Sequence, residues 1–380
     1  MDKPRVLFVS RTRYRLPLNA SLARKWDALG QELDLRVLAT STDGPRRSGP
    51  FVLVASAGAR RLGGGAFWLL LPLRVARLLR AFRPDAVVTQ SPYEAAAALV
   101  ARRVSGSRAR IVTDVQGDWR SATRLYGSPL RAALGPLADA VAAGALRRVD
   151  AVRTISPYTT RIVRELGLEP AASFPTFVDL QAFVEHAPVE PPPQPVALFV
   201  GVLEPYKNID GLVEAWRLVS GSLPAARLHI VGEGTRADVV AALLREHPDS
   251  VRWTRTLDAG GVSSALDEAS LLVLPSRSEG MGRVIIEAFC RSRPVVGTRV
   301  GGIPDLVADG KNGLLVEPGS TGALAAALAR LLGDRELACR LGEAARGSAE
   351  PWLQTPAQFA SRTRALVELA GVGSAPGTRR

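Results

Sequence analysis

Short apolar runs alternate along this chain with stretches whose apolar residues recur every three or four positions. The first pattern predicts buried strands and the second predicts amphipathic helices. Their regular alternation predicts a parallel α/β sheet. In the front half, strands are predicted at Arg5–Ser10, Leu35–Ala39, Phe51–Ala55, Ala86–Gln90, Arg110–Val115 and Ala151–Ile155. They are short and rich in Val, Leu and Ile, as strands covered on both faces should be. Helices are predicted between them at Ala20–Leu33, Phe67–Phe82, Glu94–Val104, Leu130–Arg148 and Pro157–Leu166. Ser156 precedes the last as a side-chain cap, and Pro157 fits its first turn.

His186 to Pro195 reads HAPVEPPPQP, and its five prolines oppose both helix and central strand. The alternation then restarts. Strands are predicted at Val196–Val202, Leu228–Val231, Val251–Trp253, Leu271–Leu274, Pro294–Thr298 and Gly313–Val316. Helices are predicted at Ile209–Val219, Arg236–Glu246, Val262–Glu268, Gly282–Cys290, Thr321–Leu332 and in the tail Pro351–Leu369. The reading is therefore two Rossmann-like, doubly wound domains facing a central cleft. The first covers 1–187, a proline linker covers 188–195, and the second covers 196–350. The helix in 351–370 is a candidate to pack back on the first. In each domain, strand ends at the switch in strand order should face a ligand.

Composition narrows the function classes. A chain of 380 residues with 47% apolar and 22% charged residues suits two globular domains and excludes wholesale disorder. Cys290 and Cys339 are the only cysteines, which excludes a disulfide scaffold and a Cys-rich zinc site. The histidines are His186, His229 and His247, so the first 185 residues offer no imidazole chemistry. The apolar run from Ala66 ends at Arg74, far short of the roughly 20 residues a bilayer-crossing helix needs. The opening MDKPRVLFVSRTR lacks a signal-peptide core, so the expectation is a cytoplasmic protein, with peripheral contact to the plasma membrane left open. Nearly all of the net charge of +13 lies in residues 1–190. Such a basic half could attract an anionic partner. The lysines are only Lys3, Lys25, Lys207 and Lys311, so a compositional bias towards arginine explains the charge equally well.

Candidate chemistry concentrates in Pro275–Ala288, PSRSEGMGRVIIEA, between a strand and a helix. Gly280 and Gly282 let the backbone approach a ligand, and the first helical turn offers N–H groups to an anion. Glu279 in the loop and Glu287 in the helix suit a ligand that is part polyol and part anion, such as a sugar nucleotide. Taken alone, both glutamates could equally be ordinary surface residues. In VALFVGVLEPYKN, a strand ends near Gly201 and Lys207 lies at a helix start, where a cation opposes its own helix dipole. VGEGTRADV places Gly232-x-Gly234-x-x-Ala237 after a strand, close to a dinucleotide fingerprint. No ribose-binding acid follows at the right offset, so Gly232 reads as a tight turn lining a nucleotide pocket.

Four segments, GVLEPYKNIDGLVEAW, LHIVGEGT, LVLPSRSEGMGRVIIEA and VGGIPDLVADGKNGLLVEPG, occur in this order between about Val196 and Leu332. As a series they resemble the nucleotide-binding domain of retaining GT-B glycosyltransferases, the large bacterial family 4 type (glycosyl transferases group 1). RVLFVSRTR and PTFVDLQAF match the front domain more loosely. The resemblance implies that Glu279 contacts the donor sugar's hydroxyls and Glu287 the ribose. It implies that Lys207 and the backbone of Gly280, Met281, Gly282 and Arg283 hold the diphosphate and sugar. It also implies that neither a metal nor a cofactor is needed. Three positions depart from the family. Val202 stands where an arginine is usual, a loss for which Arg283, Arg11 or Arg13 could compensate. Gln116 stands where a histidine is usual and cannot serve as a general base. The first loop carries Arg11 and Arg13, on the acceptor side, in place of glycines.

The expected activity is retaining transfer of a sugar from a UDP- or GDP-linked donor to an acceptor glycan, lipid or small molecule. Glu279, Gln116 and Asp118 are the catalytic candidates, with Asp118 either a base or a turn residue. The helix Phe67–Phe82, with Arg74, Arg77 and Arg80, suits a lipid-linked or phosphorylated acceptor at a membrane face, or simply packs on the sheet. The rival reading is a GT-B protein that binds sugar nucleotide or a partner with little or no turnover. Nucleic acid is not an expected partner, because the basic half lacks interleaved aromatic residues.

Overall fold

The computed structural model describes residues 2–41, 43–55, 63–121 and 133–372. It forms two compact units, Met1–Phe177 with Gln354–Arg380, and Val178–Leu353. The strands of the first unit are β1 (Arg5–Tyr14), β2 (Asp34–Ser41), β3 (Arg46–Ser48), β4 (Phe51–Ala55), β5 (Ala86–Thr89), β6 (Arg110–Val115), β7 (Ala151–Thr154) and β8 (Ala172–Ser173). They pair in the order β3-β4-β2-β1-β5-β6-β7-β8. Among the described residues, only the β3–β4 pair is antiparallel. Its described helices are α1 (Ala20–Glu32), α2 (Gly63–Phe82), α3 (Pro92–Ser105), α4 (Gly135–Leu146), α5 (Pro157–Arg164) and the chain's last helix, Pro356–Val372. Residues 130–132 of the expected Leu130–Arg148 helix lie outside the described residues.

The pleat sends alternate residues of each strand to opposite faces. Val6 and Phe8 of β1 pack with Trp26 and Leu29 of α1 and with Phe359, Leu366 and Val367 of the last helix. Leu7 and Val9 pack with Leu71, Val75 and Leu79 of α2 and with Ala97, Ala98 and Ala101 of α3. Each fully buried Val, Leu or Phe side chain contributes about 1.5–3 kcal/mol, so both helical layers are required. Pro72 sits inside α2 and removes a helical donor. The helix continues because Phe67, Leu71 and Val75 bury the same face on either side of it. At α5, Ser156 and Thr159 form the reciprocal cap, with Pro157 in the first turn.

The second unit has β9 (Val196–Val200), β10 (Arg227–Val231), β11 (Val251–Thr254), β12 (Leu271–Leu274), β13 (Val295–Thr298) and β14 (Gly313–Val316). All pair in parallel, in the order β11-β10-β9-β12-β13-β14. Its helices are α6 (Gln181–Val184), α7 (Ile209–Ser222), α8 (Ala237–Glu246), α9 (Ala259–Asp267), α10 (Arg283–Cys290), α11 (Ile303–Leu306), α12 (Thr321–Gly333) and α13 (Arg335–Ala349).

The proline run 188–195 lies within this second unit, and the chain divides instead after Phe177 and after Leu353. Prolines lack donors, but the carbonyls around them still need partners. Buried arginines supply them. Arg291 donates to the carbonyls of His186 at 2.7 Å and Ala187 at 3.1 Å, and pairs with Asp267 at 2.7 Å. Arg293 donates to Val189 at 3.0 Å and Leu266 at 2.8 Å. Burial lowers the Arg293 guanidinium to about 10, so it still carries its charge at neutral pH.

The tail also differs from expectation. Its helix starts at Pro356, not Pro351, because Thr355 and Gln358 cap it reciprocally. The Thr355 N–H donates to Gln358 Oε1 at 2.9 Å, and the Gln358 N–H donates to Thr355 Oγ1 at 3.1 Å.

Candidate functional site

In the second unit the strand order reverses between β9 and β12. A ligand site is therefore expected outside the carboxyl ends of these two strands. The chain leaves β9 through Gly201 and Val202, turns through a short 3₁₀ helix, Pro205–Lys207, and enters α7. Asn208 takes the left-handed conformation at that junction (φ 56°). Lys207 is thereby folded inward and buried, with its Cε 3.7 Å from the position a Cβ on Gly201 would take.

The chain leaves β12 through Pro275 and a loop that ends at Gly282 (φ 74°), which starts α10 without a side-chain cap. Glu279 in this loop accepts from Lys207, with Nζ 2.5 Å from Oε2, and both side chains are largely buried. Ser276 Oγ lies 3.5 Å from the same carboxylate oxygen. The Arg277 N–H donates to the Tyr206 carbonyl at 2.7 Å, and its guanidinium donates to Asn208 Oδ1 at 3.1 Å. The two loops are thus tied by backbone, ion pair and guanidinium.

Glycines set how close the loops come. A Cβ on Gly301 (φ 55°) would stand 1.8 Å from the Glu279 carbonyl oxygen, and one on Gly302 would stand 2.3 Å from that of Gly280. The Gly302 N–H instead donates to the Glu279 carbonyl at 3.0 Å. A Cβ on Gly232 would meet the Gly201 carbonyl at 1.9 Å. The Gly232 carbonyl accepts from the Trp253 indole at 2.9 Å. The fingerprint-like glycines therefore serve backbone packing against Gly201–Leu203.

Met281 is buried and Arg283 is exposed. Glu287 is half-buried on α10; desolvation pushes its carboxyl up, partly offset by Arg283. The structure thus brings Gly201, Lys207, Gly232 and Glu279 together, with Gly280–Arg283 on the same loop. Arg277, Asn208 and the Gly301–Gly302 pair complete this loop cluster and were not singled out from the sequence. Gly301 and Gly302 stand in the VGG that follows β13, where paired glycines permit a close backbone approach.

The first unit's candidates are arranged differently. Arg11 and Arg13 lie on β1 rather than in a loop, because pairing with β2 resumes at Arg13–Thr40 after an irregularity beyond Val9. Thr40 Oγ1 accordingly donates to the Arg11 carbonyl at 3.2 Å and to the Thr12 carbonyl at 3.1 Å. Both arginines are exposed. Gln116 is exposed at the end of β6 and borders a cavity of about 20 Å³ above the buried Arg153–Asp114 pair. That volume is of the order of one water and too small for a sugar. Asp118 accepts from the Arg120 N–H at 3.0 Å and from its guanidinium at 2.8 Å. The Tyr158 hydroxyl donates to it at 3.4 Å. Burial and this carboxylate hold the Tyr158 phenol up to about 12. Asp118 is thus held as a turn residue by Arg120 and Tyr158.

A carboxyl that sequence reasoning passed over lies nearby. Glu94, in the first turn of α3, is 3% exposed and its Oε2 has no partner. Burial pushes it up to about 7, against the backbone N–H and charge of Arg11.

Residues 183–348 match the family Glycosyl transferases group 1, and residues 19–175 match the Glycosyl transferase 4-like domain. Sulfoquinovosyl transferase of Arabidopsis thaliana is 34% identical over 164 residues, covering 42% of this chain and 31% of that protein. D-inositol 3-phosphate glycosyltransferase of Corynebacterium glutamicum is 32% identical over 176 residues, covering 44% of this chain and 42% of that protein. The chain thus spans less than half the length of either curated relative. Among solved structures, sucrose-phosphate synthase from Thermosynechococcus elongatus superposes with a TM-score of 0.78 at 20% identity, over 98% of this chain and 100% of that one. Anabaena HepE in complex with UDP superposes at 0.69 and 17%, over 96% and 100%. With both halves matched and two doubly wound domains in place, the chain belongs to the group 1, family 4 type glycosyltransferases of GT-B fold.

Proposed function

We propose that this chain transfers a sugar, with retention at the anomeric carbon, from a nucleotide diphosphate donor to a hydroxyl acceptor. The observation that carries the proposal is the Lys207–Glu279 pair, 2.5 Å apart at the strand-order switch. In the absence of ligand each charge compensates the other, so neither is left buried and alone. A diphosphate entering here takes the ammonium as partner, while the carboxylate turns to the hydroxyls of the donor sugar. Arg283 and the N–H groups at the start of α10 add positive potential for the leaving diphosphate.

In the reaction, the bond from the anomeric carbon to the diphosphate oxygen breaks and a bond from the acceptor oxygen forms on the same face. The acceptor's proton passes to the departing phosphate, a route that needs no enzyme base and so tolerates Gln116. Glu279 orients the ring. Arg11 and Arg13 are assigned to the acceptor side. The UDP in the HepE structure favours a uridine donor. The positive charge is assigned to side chains and amides, so chelation with EDTA is expected to leave the rate unchanged.

The test has two parts. Melting-temperature shifts with UDP-, GDP- and ADP-sugars identify the donor, since a ligand of the native state raises the midpoint. With that donor, Lys207→Ala is expected to lower transfer about 10²–10³-fold, and Glu279→Gln to lower both transfer and donor hydrolysis. Wild-type rates in both variants would remove the assigned site. An inverted product would remove the retaining route. Donor binding with neither transfer nor hydrolysis in the native chain would establish the rival reading, a sugar-nucleotide-binding protein.

A further inference from the structure

Helices α2, α3 and α4 pack side by side on one face of the first unit's sheet. Their inward stripes are already filled by residues such as Leu71, Val75 and Leu79. A second set of apolar residues points outward. On α2, Leu69 is 79% exposed and Leu73 53%, with Leu70 beside them. On α4, Leu137 is 64% exposed, with Val141 one turn further on; on α3, Val104 is exposed. Residues four apart share a helix face, so Leu69 and Leu73 form one ridge and Leu137 and Val141 another. A water-facing helix ordinarily carries polar residues there, and an apolar outer face of this extent marks an interaction surface.

The charges on this face have one sign. The α2 ridge continues into exposed Arg77 and Arg80, with half-exposed Arg74 beside it, and α3 adds exposed Arg103. Helix α2 contains no acidic residue, and the single acid of α3, Glu94, is buried. The single acid of α4, Asp139, is half-buried. The leucine end of α2 lies at the carboxyl edge of the sheet. There the Trp68 ring packs edge-on against Tyr93, in the first turn after β5.

We infer that this three-helix face docks on a bilayer containing anionic lipid. Outward leucines flanked by arginines suit the boundary between headgroups and acyl chains, and charges of one sign suit a uniformly negative surface. Docking would leave the carboxyl edge of the first sheet next to the bilayer, where a lipid-linked acceptor resides. The surface itself stands apart from the transfer reaction, so it is tested without turnover.

The experiment is co-sedimentation of the full chain with phosphatidylcholine vesicles, with and without phosphatidylglycerol, at low and high salt. Binding is expected only with phosphatidylglycerol, and should weaken as salt screens the arginines. The variant Leu69→Asp/Leu73→Asp should bind about tenfold more weakly or worse. Arg74→Gln/Arg77→Gln should lose about fivefold per arginine, the fold-change for roughly 1 kcal/mol each. All four side chains are at least partly solvent-facing, so both variants should melt with the parent and keep its sugar-nucleotide shift, a readout of the other unit. Equal binding to both vesicle types, no binding to either, or undiminished binding by both variants would overturn the inference. So would a dimer in sedimentation velocity that the aspartate variant breaks, which would make a second copy of the chain the occupant.

Discussion

At the carboxyl edge of the second unit's sheet, glycine backbones close on one another and a lysine and a glutamate are folded inward as a pair. At the same edge of the first unit, Arg11, Arg13 and Gln116 face solvent, and the buried acid Glu94 keeps an unpartnered oxygen. The contrast is one of tolerance. Where a Cβ would fall within 2 Å of a carbonyl, the residue type is fixed by geometry, and a motif of fixed spacing results. Where side chains reach into water, many residues satisfy the same fold, and the edge is free to vary.

The comparison is broken most severely at Gly301. Gly301→Ala places a Cβ against the Glu279 carbonyl at a positive φ, so the loop must move. A loss of about 3–5 kcal/mol in urea unfolding is expected, together with loss of the sugar-nucleotide melting shift. Unchanged unfolding would mean that the second edge is as tolerant as the first.

Glu94 gives the next effect, and a pH signature. Its folded value of about 7 lies above the ordinary carboxyl value of 4.5. The native state therefore holds the proton more tightly than the unfolded chain, and stability falls as pH rises from about 4.5 to 7. The penalty is fully present above that range and absent below it. Its size is about 3–4 kcal/mol at roughly 1.4 kcal/mol per pH unit. Glu94→Gln should raise the melting temperature at pH 8 and change it little at pH 4. Equal shifts at both would show that Glu94 is neutral through another route.

The smallest effect sharpens the donor side. Val202 is half-exposed beyond β9, where an arginine has room to reach solvent. Val202→Arg should lower the donor KM about tenfold at low salt and less at high salt, as one added cation near a diphosphate would. No change would mean that Arg277 or Arg283 already supplies that charge.

Much of the fold was legible because strands covered on both faces are written as unbroken apolar runs. β9 and β12 could be placed from their composition alone. β3 could not, since an exposed edge strand of Arg46, Arg47 and Ser48 carries no apolar signal. Helix α13 escapes a reading by pattern because two thirds of its buried stripe is alanine and glycine, with Ala338, Gly342, Ala345 and Ala349 beside Leu337 and Leu341. In the site, strand–loop–helix context pointed to Lys207 and Glu279 separately. That they meet is a fact of topology, since 72 positions separate them in sequence. Glu94 and Arg277 lacked any local mark, because burial and cross-loop contact are properties of the assembled sheet.

The last helix supplies Phe359, Leu366 and Val367 to the core that begins with Val6 and Phe8. During synthesis the first unit therefore begins before the second and is completed after it. Its open sheet face must wait uncovered while the whole of the other unit emerges. Without that helix Trp26 and Leu29 would lose their cover, so the first unit cannot close its core before the second has been made.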